Sequence, residues 1–185
     1  VRGGAADASI WEKQVAAEQM AYELHLPIVR LVEGTGGGGS VKSIESDGYT
    51  YVPGNPAWDW VVANMGQVPV VSLALGPVAG LGAARVATSH YALMVKGQSQ
   101  LFVAGPPVVA RLGENVSKEE LGGSSIHSRN GAVDDEVESE EEAFSRTKTF
   151  LSYLPSSIYE LSPRAEPTDA VDRREEWLIE AIPRD

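Results

Sequence analysis

Apolar residues fall along the chain in two recurring patterns. The first stretch predicts a helix with Ile10, Val15, Met20 and Leu24 among its apolar positions, Asp7 or Ser9 able to cap its start, and Pro27 stopping it near His25. Pro27 to Val32 then reads as a short buried strand. A glycine-rich loop extends to about Asn55, and Pro56 to Met65 predicts a helix with proline at its start. Val68 to Leu75 is a second buried strand. Gly76-Pro-Val-Ala-Gly80 predicts a turn into a small-residue helix running through Ala87. Tyr91 to Val95 and Gln100 to Val103 are a third and a fourth strand. Past Gly105-Pro-Pro107 a helix is expected to about Leu112. Ser117-Lys-Glu-Glu120 has the form of a capping box, ended by Gly122-Gly123. Glu138 to Leu154 is amphipathic, and beyond Pro155 the chain reads as an extended tail with a short element around Trp177. Alternating strands and helices with short connections mean an α/β fold, and no fixed-period repeat interrupts it.

Composition narrows the partners. The 185 residues suit about one domain, long enough to bury a core. Lys plus Arg is 15 against 26 Asp plus Glu, a net charge of -11, which disfavours nonspecific binding to nucleic acid or to anionic membranes. With no cysteine there is no disulfide, Cys zinc site or thiol nucleophile. No apolar run approaches the roughly 18 residues of a membrane span. The chain begins at Val1 without Met or a signal-peptide pattern, and reads as a fragment. Asp134, Asp135, Glu136, Glu138, Glu140, Glu141 and Glu142 carry more than half of the net charge. Their spacing matches no calcium loop, and they read as a solvated loop feeding a helix N-terminus.

Two glycine segments are the chemical candidates, because each follows a buried strand, where α/β folds place their sites. Gly34-Thr-Gly-Gly-Gly-Gly-Ser40 lacks the Gly-Lys-Ser/Thr of a phosphate loop and is followed by no immediate helix, so neither nucleotide motif fits. A backbone-amide oxyanion hole and a plain connector both remain open. Gly76-Pro-Val-Ala-Gly-Leu-Gly82 is followed at once by a helix, and serves either unsatisfied amides or close helix–sheet packing. Two strand ends that each deliver glycine amides can converge on one carbonyl oxygen and stabilise an enolate.

The order and spacing of Leu31-Val-Glu-Gly-Thr-Gly-Gly37, Gly76-Pro-Val-Ala-Gly-Leu-Gly-Ala83, Leu101-Phe-Val-Ala-Gly-Pro-Pro-Val-Val109, Glu119-Glu-Leu-Gly-Gly123, His127 and Gly131-Ala-Val133 resemble the carboxyltransferase (β) subunits of biotin-dependent acyl-CoA carboxylases, such as the methylcrotonoyl- and propionyl-CoA enzymes. The resemblance implies a crotonase-like fold, a spiral of ββα turns, with residues 1–155 an incomplete first domain and 156–185 a tail leading toward a second. It implies transfer of a carboxyl group from carboxybiotin to the α-carbon of an acyl-CoA, with biotin itself taking the proton. Gly36, Gly37, Gly80 and Leu81 would supply the oxyanion amides, and Gly38, Ala79 and Arg85 would meet the CoA. The implied partners are acyl-CoA, a biotin carboxyl carrier, a biotin carboxylase component and further copies of the chain, as dimer or hexamer. The implied location is bacterial cytoplasm or mitochondrial matrix, and the 185 residues alone are expected to be inactive.

There are departures from the family text. The first loop holds Glu33 and an extra glycine where the family has Asp-Ser-Gly-Gly-Ala, and Leu81 replaces the last glycine of Ala-Gly-Gly. A leucine keeps the backbone N–H that an oxyanion hole uses. Three other readings stand beside this one: a decarboxylase subunit, a lone crotonase-like hydratase or hydrolase with Glu33 as base, and a noncatalytic assembly piece using Trp58, Trp60 and the 138–154 helix. His127 reads as a satisfied loop histidine, and His25 and His90 as structural. Three separated histidines without cysteine argue against catalytic zinc. Lys42 and Lys96 read either as contacts to a CoA phosphate or as surface salt-bridge partners.

Overall fold

A computed structural model describes residues 8–34, 45, 48 and 57–181. The glycine-rich loop up to residue 56 therefore lies almost wholly outside the described residues, with Gly36, Gly37, Gly38 and Lys42 in it. The elements are α1 (Ala8–Leu24), β1 (Ile28–Gly34), α2 (Trp58–Asn64), β2 (Val70–Ala79), α3 (Leu81–Ala87), β3 (Tyr91–Val95), β4 (Gln100–Phe102), α4 (Pro106–Val109) with a 3-10 turn over Ala110–Leu112, α5 (Lys118–Gly122), α6 (Ser124–Asn130), β5 (Asp135–Val137), α7 (Glu140–Ser152) and α8 (Leu178–Ala181).

All strands are parallel. The order is β1-β2-β3-β5, with β4 also paired to β2. The long β2 explains this arrangement. Its first half pairs with β3 from Val71 to Ala74, and its last three residues, Pro77 to Ala79, pair with β4. The sequence reading ended this strand at Leu75 because Gly76-Pro77 is a turn signal. The strand continues because β4 offers a new partner where β3 leaves, and only Gly80 turns the chain. Gly76 has a separate role: a Cβ there would come within 2.8 Å of the Glu33 side chain.

Strand β2 is buried on both faces, which is why its sequence is a near-continuous apolar run. Side chains alternate between the faces. Val71 and Leu73 join Leu93, Val95, Val137 and Ala143 beneath α7, where Tyr91 stacks on Phe150 with ring centroids 4.7 Å apart. Ala74 and Val78 join Val86, Ala92, Met94, Leu101 and Val133 on the opposite face. Val70 meets Ala21 and Val68 below α1. Trp60 packs on Tyr22 of α1 at 5.4 Å.

A buried ionic cluster locks α1, α2 and α3 onto β1. Arg30 donates from Nε and Nη2 to the two carboxylate oxygens of Glu18, at 2.8 and 2.9 Å. Its Nη1 donates to the Thr88 carbonyl at 2.6 Å. Asn64 donates to the Glu18 carboxylate and to its carbonyl, at 2.9 and 3.0 Å. All three side chains are buried.

The acidic run holds more structure than a solvated loop. Asp135, Glu136 and Val137 form β5 against Leu93, Met94 and Val95. Each early carboxylate has a donor: the Ala92 N–H for Asp134, the Tyr91 hydroxyl for Asp135 and the Ser124 hydroxyl for Glu136. Burial first, and Asp135 second, push the Tyr91 phenol far above its ordinary pKa. Glu140, Glu141 and Glu142 do occupy the first turn of α7, capped by Ser139. The Glu138 N–H, and then Arg146, hold the Glu142 carboxyl below the usual range. The unfolded chain therefore binds that proton more tightly. The contribution of Glu142 to stability is whole above about pH 4.3 and is lost as pH falls below it. Acid unfolding followed by circular dichroism should show Glu142→Gln losing less stability than the parent chain between about pH 5 and pH 3.

The expected capping box is present: the Ser117 hydroxyl accepts from the Glu120 N–H at 3.2 Å, and the Glu120 carboxylate accepts from the Ser117 N–H at 2.9 Å. Helix α5 ends where Gly122 passes β4. A Cβ on Gly122 would stand 2.9 Å from the Leu101 carbonyl carbon and closer still to its oxygen. Because that neighbour is backbone, relief requires strand movement. Gly122→Ala is expected to destabilise the chain by about 2–3 kcal/mol, read as a lower urea midpoint at unchanged slope.

Candidate active site

The site is built where β1 and β2 end side by side. The register pairs Val32 with Ala74 and then, past an irregularity, Gly34 with Val78. Neighbouring strands lie about 4.8 Å apart. The first glycine loop therefore leaves the sheet beside Val78, two residues before the β2–α3 turn. Gly80 makes that turn with φ 61° and ψ -127°, a backbone state that favours glycine.

The turn distributes its polar groups unevenly. The Gly80 N–H donates to the Phe102 carbonyl at 2.9 Å, and its carbonyl accepts from the Ala84 N–H at 3.1 Å. The Leu81 amide, first of α3, meets no backbone acceptor among the described residues. Of the two amides expected to act here, Gly80's is bonded to the Phe102 carbonyl, and Leu81's has no backbone acceptor among the described residues. Ala79 is buried. Gly82 lets α3 close onto β2, since a Cβ there would come 2.8 Å from Val78 Cγ1.

The carboxyl transferase domain model matches residues 1–185. The chain belongs to the carboxyl transferase domain family. This carboxyl transferase domain is 31% identical over 99% of its length to the propionyl-CoA carboxylase carboxyltransferase subunit of Haloferax mediterranei, of which it covers 35%. It is 30% identical, over the same shares of the two chains, to the methylmalonyl-CoA decarboxylase subunit alpha of Veillonella parvula. The solved transcarboxylase 12S, a hexamer carrying hydrolysed methylmalonyl-CoA, superposes with a TM-score of 0.75 at 26% identity, covering 92% of this chain and 32% of that one. The resemblance read from the glycine and Leu-Phe-x-x-Gly-Pro motifs thus holds, and the α/β fold is the crotonase-like one of these carboxyltransferases. The chain spans about a third of the length of the relatives it matches.

Other candidates in the carboxyl transferase domain have occupations of their own. Arg85 turns toward α1, donating to Gln14 Oε1 at 3.2 Å beside the Glu18–Arg30 pair. Burial lowers its pKa, Glu18 raises it and Arg30 lowers it. In this orientation its guanidinium serves the α1–α3 contact. His127 meets the Leu101 carbonyl through Nε2 at 2.8 Å. His90 accepts the Val70 N–H at Nδ1 and meets the Met65 carbonyl at Nε2. His25 closes α1 with φ 55° and meets Gln67 at 2.9 Å. Lys96 pairs with Glu138 on the surface. Glu33 is exposed and reaches toward Gly76. Among the described residues, no group of three or more His, Asp or Glu is placed to hold a metal ion. The sequence reading missed the buried Glu18, Arg30 and Asn64, which position the helices behind the site. The one signal available was an arginine inside a strand otherwise read as apolar.

Proposed function

We propose that the chain forms the acyl-CoA side of a biotin-dependent carboxyltransferase. The observation that carries this reading is the pairing of Gly34 with Val78, which starts the first glycine loop beside Val78, three residues before Leu81, whose amide meets no backbone acceptor among the described residues, in a chain of this family. Amides of Gly36 and Gly37 join Leu81 on the thioester carbonyl oxygen, while Gly80 fixes the turn. Loss of the α-proton moves charge onto that oxygen, and amides already aimed at it stabilise the enolate without reorganising, one donor being worth about 3 kcal/mol. The enolate carbon would take the carboxyl group as the N–carboxyl bond of carboxybiotin breaks, and the freed biotin nitrogen would accept the α-proton. Gly38 and Ala79 face the CoA arm, and the Arg85 cation lends its field to the CoA phosphates while it stays bound to Gln14.

Carboxybiotin supplies the carboxyl group in this family. The exposed large apolar side chains described at the corner around Gly80 are Leu81 and Val103. Biotin would arrive on a separate carrier protein or domain. Residues 1–155 act as the acyl-CoA domain and 156–185 as the connection onward, in an oligomer served by a biotin carboxyl carrier and a biotin carboxylase.

The test supplies the full-length polypeptide with a biotinylated carrier, biotin carboxylase, ATP, labelled bicarbonate and acyl-CoA. Label in a carboxylated acyl-CoA is the expected result. No label in the thioester, with the carrier itself labelled, would overturn the reading. Transfer only from a labelled malonyl-type thioester to the carrier would identify the decarboxylase direction.

A further inference from the structure

Strand β4 has three residues, Gln100–Phe102, and β2 is its one strand partner among the described residues. Its two edges are held by different means. On the edge toward β2, the Phe102 carbonyl accepts the Gly80 N–H. The carbonyl before it, on the buried Leu101, faces the opposite edge. There Gly122 passes so closely that a Cβ on it would run into the Leu101 carbonyl, and Gln100 forms a single antiparallel bridge with Gly123. His127, in the first turns of α6, brings Nε2 to 2.8 Å from the Leu101 oxygen. A carbonyl can only accept, so Nε2 carries the proton and donates. Nδ1 is buried and meets no partner among the described residues, so the Leu101 bond is the one use of the ring's nitrogens there.

Building on the proposed role of the Leu81 amide, we infer that His127 is a positioning residue for carboxyl transfer: by holding the Leu101 carbonyl it fixes β4, and through the Phe102 carbonyl it fixes the Gly80 turn that aims the Leu81 N–H. A buried carbonyl that loses its donor seeks another. With the donor at 127 gone, Leu101 regains one only by rotating the peptide that leads into Phe102. A strand of three residues has few ladder bonds to resist that rotation. The Phe102 carbonyl moves with it. Gly80, being glycine, has wide conformational freedom and depends on this bond to keep one conformation. Gly122 and His127 thus act together: the glycine lets α5 close on β4, and the histidine supplies the donor that the strand edge lacks.

The test measures kcat for acyl-CoA carboxylation, and acyl-CoA Kd by titration calorimetry, in the full-length polypeptide with its carrier and biotin carboxylase. The variants are His127→Phe, His127→Gln and His90→Phe. Phenylalanine keeps a ring without a donor, and glutamine places an amide N–H where Nε2 stands. His90 bonds the Val70 N–H and the Met65 carbonyl at the other end of β2, so it controls for a histidine that serves stability alone. His127→Phe is expected to lower kcat by about 10²-fold, the scale of a ~1 Å misplacement, with Kd within about twofold of the parent. His127→Gln should recover kcat to within about fivefold of the parent, and His90→Phe should keep it within about threefold. If His127→Phe does not fold, His127→Asn, whose amide stops short of the Leu101 oxygen, takes its place with the same expectation. A kcat for the donor-less variant within about threefold of the parent, no recovery in His127→Gln, or an equal loss in His90→Phe would overturn the role and leave the carboxyltransferase reading standing. A parent that transfers no carboxyl group, with its carrier charged, would remove both.

Discussion

Leu81→Pro in the full-length polypeptide should lower kcat by about 10²–10³-fold while leaving the fold nearly as stable. Proline lacks the N–H in question. It is tolerated at the first position of a helix, where that N–H has no intrahelical partner, and Leu81 is the first residue of α3. The preceding Gly80 has no Cβ to clash with the ring. The substitution therefore deletes one donor with little else, which few backbone sites permit. Leu81→Ala is the control. It shortens the side chain and keeps the amide, so it should retain turnover within about tenfold on a short acyl-CoA. Equal losses in both variants would assign the effect to the side chain and reject the amide. Transfer rates measured at saturating acyl-CoA separate this from weakened binding.

The largest effect on stability is expected at Arg30. Arg30→Met should destabilise the chain by about 3–5 kcal/mol, because it leaves the buried Glu18 carboxylate with Asn64 as its one side-chain donor among the described residues. It also removes the donor to the Thr88 carbonyl at the end of α3. The double variant Glu18→Gln/Arg30→Met should recover part of the loss, since the uncompensated charge is gone. Urea unfolding of the parent, Arg30→Met, Glu18→Gln and the double variant gives the coupling directly. If Arg30→Met shifted stability by less than about 1 kcal/mol, the pair would behave like a solvated surface bridge, against its burial.

The parts legible in the sequence were those written locally. Strands β2 and β3 announce themselves through Val70–Leu75 and Tyr91–Val95, and α5 through the reciprocal Ser117 and Glu120 bonds. The chain order of the glycine and Gly-Pro motifs was enough to indicate the family. What was missed depends on partners distant in sequence. Gly76-Pro77 looks like a turn until β4, more than twenty residues later, pairs with it. Asp135-Glu136-Val137 looks like solvated charge until Tyr91 and Ser124 provide donors. Helix α6, Ser-Ser-Ile-His-Ser-Arg-Asn, is mostly Ser, Ile, His and Asn, whose helix preference is only middling. At the site, Leu81 was legible as a candidate donor. That Gly80's amide would be taken by Phe102 was not, because the bond joins β2 to a strand that the local pattern cannot position.

In the proposed mechanism the β2–α3 turn and the first glycine loop hold one thioester oxygen between them. The most direct measurement is a structure of the full-length polypeptide with an unreactive acyl-CoA analogue bound. The account predicts the Leu81 nitrogen and a Gly36 or Gly37 nitrogen both within about 2.7–3.2 Å of the thioester carbonyl oxygen. Amides lying more than about 8 Å apart, or an oxygen that meets neither of them, would contradict it.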